Sequence, residues 1–169
     1  MTSNPVRSTA FILGLCLAIP AGAAGVASES RDSSAAFVAT QNFIVGRLGR
    51  DCLELLGRKE SAAEYQQQWQ RNNARYHDAA ARYMAARLAE IELDSERDAI
   101  EAAYYDSVNK TGTSAVAQML DRGDRVENCR VALTLVDAGN MDIDKFVVDT
   151  KQPLVAARLE ELVKWAQKR

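Results

Sequence analysis

The fold of this chain is decided by residues 61–93, which read SAAEYQQQWQRNNARYHDAAARYMAARLAEIEL. The stretch opens with SAAE at 61–64, a capping box in which serine and glutamate each bond a free backbone N–H at a helix start. Large aromatic rings then share one face, with alanines between them, which suits close packing of antiparallel helices; the rings are Tyr65, Trp69, Tyr76 and Tyr83. The pattern predicts a long helix from Ser61 to near Leu93.

The buried face of this helix does not continue beyond Asp94. At about 100° per residue, the next apolar side chains fall on a different side of the helix, and Ser95 with Asp98 can cap a new start. We therefore expect a kink or break near Asp94 and a further helix to about Asn109. The alternative is one long helix whose buried face rotates as it meets different neighbours.

The remaining segments also carry helical periodicity. Gly57, Gly123 and Gly139 stand where helices end, Thr111-Gly112-Thr113 reads as a turn, and Pro153 suits the first turn of the last helix. Residues 140–152 look irregular, with one helical turn around Lys145 to Val148. The other helices are expected over about 34–56, 114–121, 124–139 and 153–169. The prediction is an all-α, single-domain bundle of five or six helices.

The N-terminus predicts export. Arg7 supplies a positive region, Thr9 to Ile19 form a short apolar run, and Ala21-Gly22-Ala23 offers the small residues that a signal peptidase reads. The apolar run is about half the length of a membrane-spanning helix. We expect residues 1–23 to be a cleaved signal peptide, 24–34 a flexible leader and 35–169 the helical domain. Leu15 before Cys16 fits a lipid-anchor signal poorly, so neither a lipid anchor nor a membrane span is expected.

Two cysteines, Cys52 and Cys129, remain after removal of the signal. In an oxidising compartment they predict one disulfide. Their wide separation differs from the CxxC spacing of redox-active pairs, so the bond is expected to be structural. The expected location is periplasmic or secreted.

Charge and motifs argue against several classes of function. The chain has 21 basic and 23 acidic residues, which gives no electrostatic reason to bind nucleic acid. His77 is the only histidine and is expected at the surface or at its boundary. The sequence has neither a phosphate-binding glycine loop nor a recognisable metal or nucleophile motif. We expect no cofactor.

Two surfaces are candidates for binding. One is an aromatic and amide face on the second helix, which could stack on a sugar or recognise a peptide if its rings were exposed; its residues are Tyr65, Trp69, Asn72, Tyr76 and Tyr83. The other is an acidic face that an unbroken helix would form, suited to a basic partner; its residues are Glu90, Asp94, Asp98 and Glu101. The competing interpretation is that the rings are core and the carboxylates are solvated.

These observations favour an exported, non-catalytic binding protein of a bacterial-type envelope. It would engage a protein partner in an inhibitor, immunity or chaperone-like role. One alternative is a small-ligand or glycan binder that uses the aromatic face. The other is an envelope enzyme that works through carboxylates of residues 90–106, which would have to converge in a cleft. The partner and the oligomeric state are not predicted.

Overall fold

A computed structural model describes residues 26–169, so the predicted signal peptide lies outside the described residues. This part of the chain is all-α, without a strand. Its helices are α1 (Glu29–Cys52), α2 (Ala62–Asn72), α3 (Ala74–Ala89), α4 (Asp94–Leu120), α5 (Arg125–Asp137), α6 (Ile143–Asp149) and α7 (Pro153–Gln167). The all-α class is confirmed, whereas five or six helices was an undercount, since residues 26–169 hold seven.

The first helix starts earlier than predicted. Ser28 accepts a hydrogen bond from the backbone N–H of Arg31, and Glu29 and Asp32 place negative charge in the first turn, where it favours the positive end of the helix. Residues 29–34 are therefore helical, although the sequence analysis assigned them to a flexible leader. The C-terminal end of α1 is closer to its predicted position at residue 56. The helix ends at Cys52 and is followed by turns, and Gly57 adopts a left-handed φ of 66°.

Helix α1 is the centre of the bundle. It packs against α2, α3, α4, α5 and α7. Its buried side chains include Val38, Val45 and Leu48, and they form one core with residues of the surrounding helices. Most helices of the bundle are therefore positioned by their contact with α1.

The predicted disulfide is present. Cys52, at the end of α1, and Cys129, in α5, are joined with an S–S distance of 2.04 Å and a Cα–Cα distance of 5.3 Å. Both residues are completely buried. The bond fastens α5 to the C-terminal end of the central helix.

The long second helix predicted from residues 61–93 is divided at Asn73. The capping box of Ser61 and Glu64 is confirmed, but α2 ends at Asn72 and α3 begins at Ala74. Asn73 is buried, and its side chain hydrogen-bonds the carbonyl oxygen of Trp69 and the backbone N–H of Ile143. These bonds stabilise the break, and they also fix the start of α6 in a segment predicted to be mostly irregular.

The predicted break near Asp94 is confirmed, whereas the predicted turn at 111–113 is wrong. Helix α4 runs without interruption from Asp94 to Leu120. Gly112 is buried inside it, and a Cβ at this position would lie 2.3 Å from Cδ1 of Phe43. The absence of a side chain at Gly112 therefore leaves room for the Phe43 ring between α4 and α1, and the residue does not form a turn.

No helix within residues 26–169 is both long enough and apolar enough to cross a bilayer.

Candidate functional site

One concave surface is a groove between α3 and α4. Both helices pack on α1, yet they hardly touch each other, because the connection through residues 90–93 lets them diverge. The space between them has a volume of about 220 Å³, with Val38, Ala39 and Asn42 of α1 at its base. We call this space the α3–α4 groove.

The α3 side of the groove is mainly apolar. His77, Ala81, Met84 and Leu88 line it at a spacing that places them on one helical face. Met84 and Leu88 are both half-buried. Methionine is unbranched and adapts to irregular partners, so this wall can accept apolar side chains of different shapes.

The α4 side combines two tyrosines with a carboxylate: Tyr104, Tyr105 and Glu101 line the groove. The Tyr104 hydroxyl donates a hydrogen bond to the carbonyl oxygen of Ala35 at 3.0 Å, which fastens α4 to α1. Burial, helped by the neighbouring Tyr105, raises the pKa of Tyr104 to about 12. Tyr105 is 54% exposed, and its ring packs edge-on against that of Tyr104. The Tyr105 ring is therefore fixed in position at the rim of the groove and still accessible to a partner.

An acidic stripe leads along α4 into the groove. Asp94, Asp98, Glu101 and Tyr105 recur at a spacing that places them on one side of the helix. Arg97 binds Asp94 at 3.0 Å and donates to the carbonyl oxygen of Ile91. Within residues 26–169, Asp98 and Glu101 have no cationic side chain within ion-pair distance. Two carboxylates beside the groove are thus left uncompensated.

Only three of the four residues predicted to form an acidic docking face lie on one helix. Asp94, Asp98 and Glu101 share a face of α4, but Glu90 lies in the connection before that helix. Its carboxylate accepts a hydrogen bond from the backbone N–H of Val26 at 2.7 Å. The unbroken helix needed to align all four residues does not form.

The predicted aromatic ligand face is wrong, because its rings belong to the core. Tyr65, Trp69, Tyr76 and Tyr83 are 7%, 2%, 3% and 0% exposed. Their polar atoms are also occupied: the Trp69 indole N–H donates to the carbonyl oxygen of Met141, and the Tyr83 hydroxyl donates to Asp32. Asn72 alone is exposed, and it pairs with Gln68 on its own helix. This stripe of rings faces other helices, so none of these four rings is available for a sugar to stack on.

His77 lies at the mouth of the groove and is half-exposed, as the sequence analysis expected. Its Nδ1 is 3.9 Å from a carboxylate oxygen of Asp78. Residues 26–169 contain no group of three or more histidine, cysteine, aspartate or glutamate side chains arranged to hold a metal ion.

Sequence reasoning missed the groove itself. The sequence did contain a sign of it. The apolar positions Met84 and Leu88 and the later position Tyr104 do not fall on one continuous helical face, which indicated that the segments before and after Asp94 pack in different directions. Two consecutive helices that bury different faces on a common third helix leave a space between them. The missing information was that both of them pack on α1.

Comparisons of the chain with family models, with curated proteins and with solved structures find no match.

Proposed function

We propose that this chain is an exported, non-catalytic protein that binds another protein through the α3–α4 groove. The observation that carries the proposal is the groove itself, with its apolar α3 wall and the exposed ring of Tyr105 at its rim. Tyrosines beside apolar pockets are frequent anchors of protein interfaces, because they bury a large area and keep a polar end. An inhibitor, immunity or chaperone-like role is consistent with such a surface.

The size of the groove favours a protein over a small ligand. Sites for small molecules usually have volumes of roughly 300–1,000 Å³ and enclose most of the ligand, whereas this groove has about 220 Å³ and is open along one side. It has room for one or two anchoring side chains of a larger partner. The small-ligand alternative also loses its main support, because the aromatic face of α2 and α3 is buried.

The disulfide supports the proposed location. A buried Cys52–Cys129 bond is typical of proteins that work in an oxidising compartment such as the periplasm or the exterior of the cell. The carboxylate-enzyme alternative has less support, since Glu101 is the one carboxylate of the described residues that lines the α3–α4 groove, so no pair of carboxylates converges there.

The proposal is tested by site-specific photo-crosslinking in the native host. A photoreactive amino acid replaces Ala81, which is exposed inside the groove, or Ala157, which is exposed on α7. We expect position 81 to capture a discrete protein that position 157 does not. That protein is then purified, and its affinity is measured for the wild type, for Tyr105→Ala and for the control Leu154→Ala.

Tyr105 and Leu154 both carry large, exposed side chains, so either substitution should leave the buried core intact. Loss of an aromatic anchor weakens an interface by more than about tenfold. We therefore expect that loss for Tyr105→Ala and unchanged binding for Leu154→Ala. Equal capture at positions 81 and 157, or equal affinity of both variants, would contradict the proposal.

A further inference from the structure

We infer that the partner presents an amphipathic helix with lysine or arginine beside its apolar stripe. This inference rests on the proposed function and specifies the chemistry of the partner. The shape of the groove supports a helical partner, and the carboxylates of α4 indicate that this helix is basic.

The shape of the groove favours a helical segment. Its walls are two helices, α3 and α4, and its base is a third, α1. An amphipathic helix laid over such a surface inserts apolar side chains from successive turns, which is a recurring mode of recognition. Met84, Leu88 and Tyr105 would receive these anchors.

The electrostatics favour basic flanking residues. Glu101 lines the groove, and Asp98 lies one turn before it on the same face of α4. Neither has an ion-pair partner in the described part of the chain. A cation bound to Asp98 would replace no existing contact, because Asp98 is exposed. An acidic segment would instead meet two uncompensated carboxylates, so the same charges select against acidic partners.

Polar groups elsewhere around the groove do not reverse this preference. Arg97 is half-buried and is bound to Asp94 and to the backbone of Ile91. His77 has an aspartate, Asp78, as its nearest charged neighbour, and Asn42 is neutral. Arg87 of α3 is half-buried beside Leu88 and adds a positive charge, but the two carboxylates of Asp98 and Glu101 outnumber it, so the charge beside the groove is negative.

The test uses synthetic peptides with the purified full mature chain. The probe is a peptide of about 18 residues, long enough to form an isolated helix, with leucines on one helical face and lysines beside them. A second peptide has glutamate in place of each lysine, and a third has the composition of the first in scrambled order. Circular dichroism establishes the helicity of each, and fluorescence anisotropy of the labelled peptides measures binding.

We expect the basic amphipathic peptide to bind, more weakly as salt is raised, because salt screens exposed charges. The acidic and scrambled peptides should not bind. The double variant Asp98→Asn, Glu101→Gln should weaken binding about threefold to tenfold at low salt, as expected for two exposed ion pairs. The control Glu54→Gln, Asp149→Asn removes two exposed acidic charges elsewhere and should bind like the wild type.

Three results would overturn the inference: no binding of the basic peptide, equal binding of the acidic and basic peptides, or an equal loss in both double variants. Its failure is distinguishable from failure of the proposed function. If crosslinking at position 81 still captures a protein whose binding requires Tyr105, the groove is a binding surface and only the basic helix is wrong.

Discussion

Asn73, at the break between α2 and α3, accepts a hydrogen bond from the backbone N–H of Ile143 at 2.7 Å. Its amide nitrogen donates to the carbonyl oxygen of Trp69 and to Asp142, both at 2.9 Å. One side chain thus joins the end of α2 to the start of α6. This contact spans 70 residues of sequence and fixes the direction in which α3 leaves the break.

Asn73→Ala should lower the free energy of unfolding by about 1–3 kcal/mol, because it leaves the N–H of the fully buried Ile143 without an acceptor. Urea denaturation followed by circular dichroism measures the change. Asn72→Ala is the matched control, since Asn72 is exposed and contacts only its own helix. Equal effects of the two substitutions would show that the Asn73 bonds do not stabilise the fold.

Gly112→Ala should also destabilise the protein. Alanine is favoured over glycine in a helix by about 1 kcal/mol, but its Cβ would lie 2.3 Å from the Phe43 ring, and overpacking of this kind costs about 1–3 kcal/mol. In a Phe43→Ala background the obstruction is gone, so the same substitution should stabilise by about 1 kcal/mol. A double-mutant cycle of unfolding free energies checks both signs; equal effects in the two backgrounds would refute the contact.

Gln41→Leu should stabilise the protein. Gln41 is 7% exposed, and its side-chain oxygen has no hydrogen-bond partner among the described residues. Removing an unsatisfied buried acceptor should raise the free energy of unfolding by about 1–3 kcal/mol.

The matched control for Gln41 is Gln66→Leu. The Gln66 amide donates to the backbone and side-chain oxygens of Asn42, so here the same substitution removes bonds and should not stabilise. Thermal and urea unfolding distinguish the two variants. A loss of stability in Gln41→Leu would contradict this prediction. It would mean that the Gln41 amide stabilises the folded protein more than a buried leucine does.

Stability should fall at alkaline pH. Burial, reinforced by the hydrogen bond to Asp32, raises the pKa of Tyr83 to about 12, whereas an unfolded tyrosine titrates near pH 10. Above about pH 10 the unfolded chain therefore loses a proton that the folded chain keeps, so the free energy of unfolding decreases as pH rises. The contribution of Tyr83 to the free energy of unfolding is fully present below about pH 10 and is lost as the pH rises through the pKa of Tyr83 in the folded protein.

Unfolding free energies at several pH values between 8 and about 12 test this dependence, with Tyr83→Phe as the comparison. The variant lacks the titrating hydroxyl, so its stability should decrease less steeply above about pH 10. Parallel curves for the wild type and Tyr83→Phe would show that Tyr83 does not contribute to the alkaline loss.

Local chemistry explains the elements that the sequence predicted correctly. The Ser61 and Glu64 capping box, the left-handed Gly57 and the Pro153 helix start each depend on residues adjacent in the chain. The Cys52–Cys129 bond is a long-range contact that was predictable because only these two cysteines follow the predicted signal peptide. All-α character follows in the same way from periodicity and composition.

The elements that were missed depend on tertiary contacts. Asn73 reads as an ordinary helical position until its bonds to α6 are known. Gly112 reads as a turn until Phe43 is seen against it. The α3–α4 groove likewise depends on both helices choosing α1 as their partner, and no local pattern specifies that choice.

NMR tests directly whether the α3–α4 groove is the binding surface. Amide resonances of the ¹⁵N-labelled protein are recorded while the unlabelled protein captured from position 81 is added. We predict that the largest shifts lie in residues 38–42 of α1, 77–88 of α3 and 98–105 of α4. Shifts confined to α5, α6 and α7, with these three segments unchanged, would contradict it.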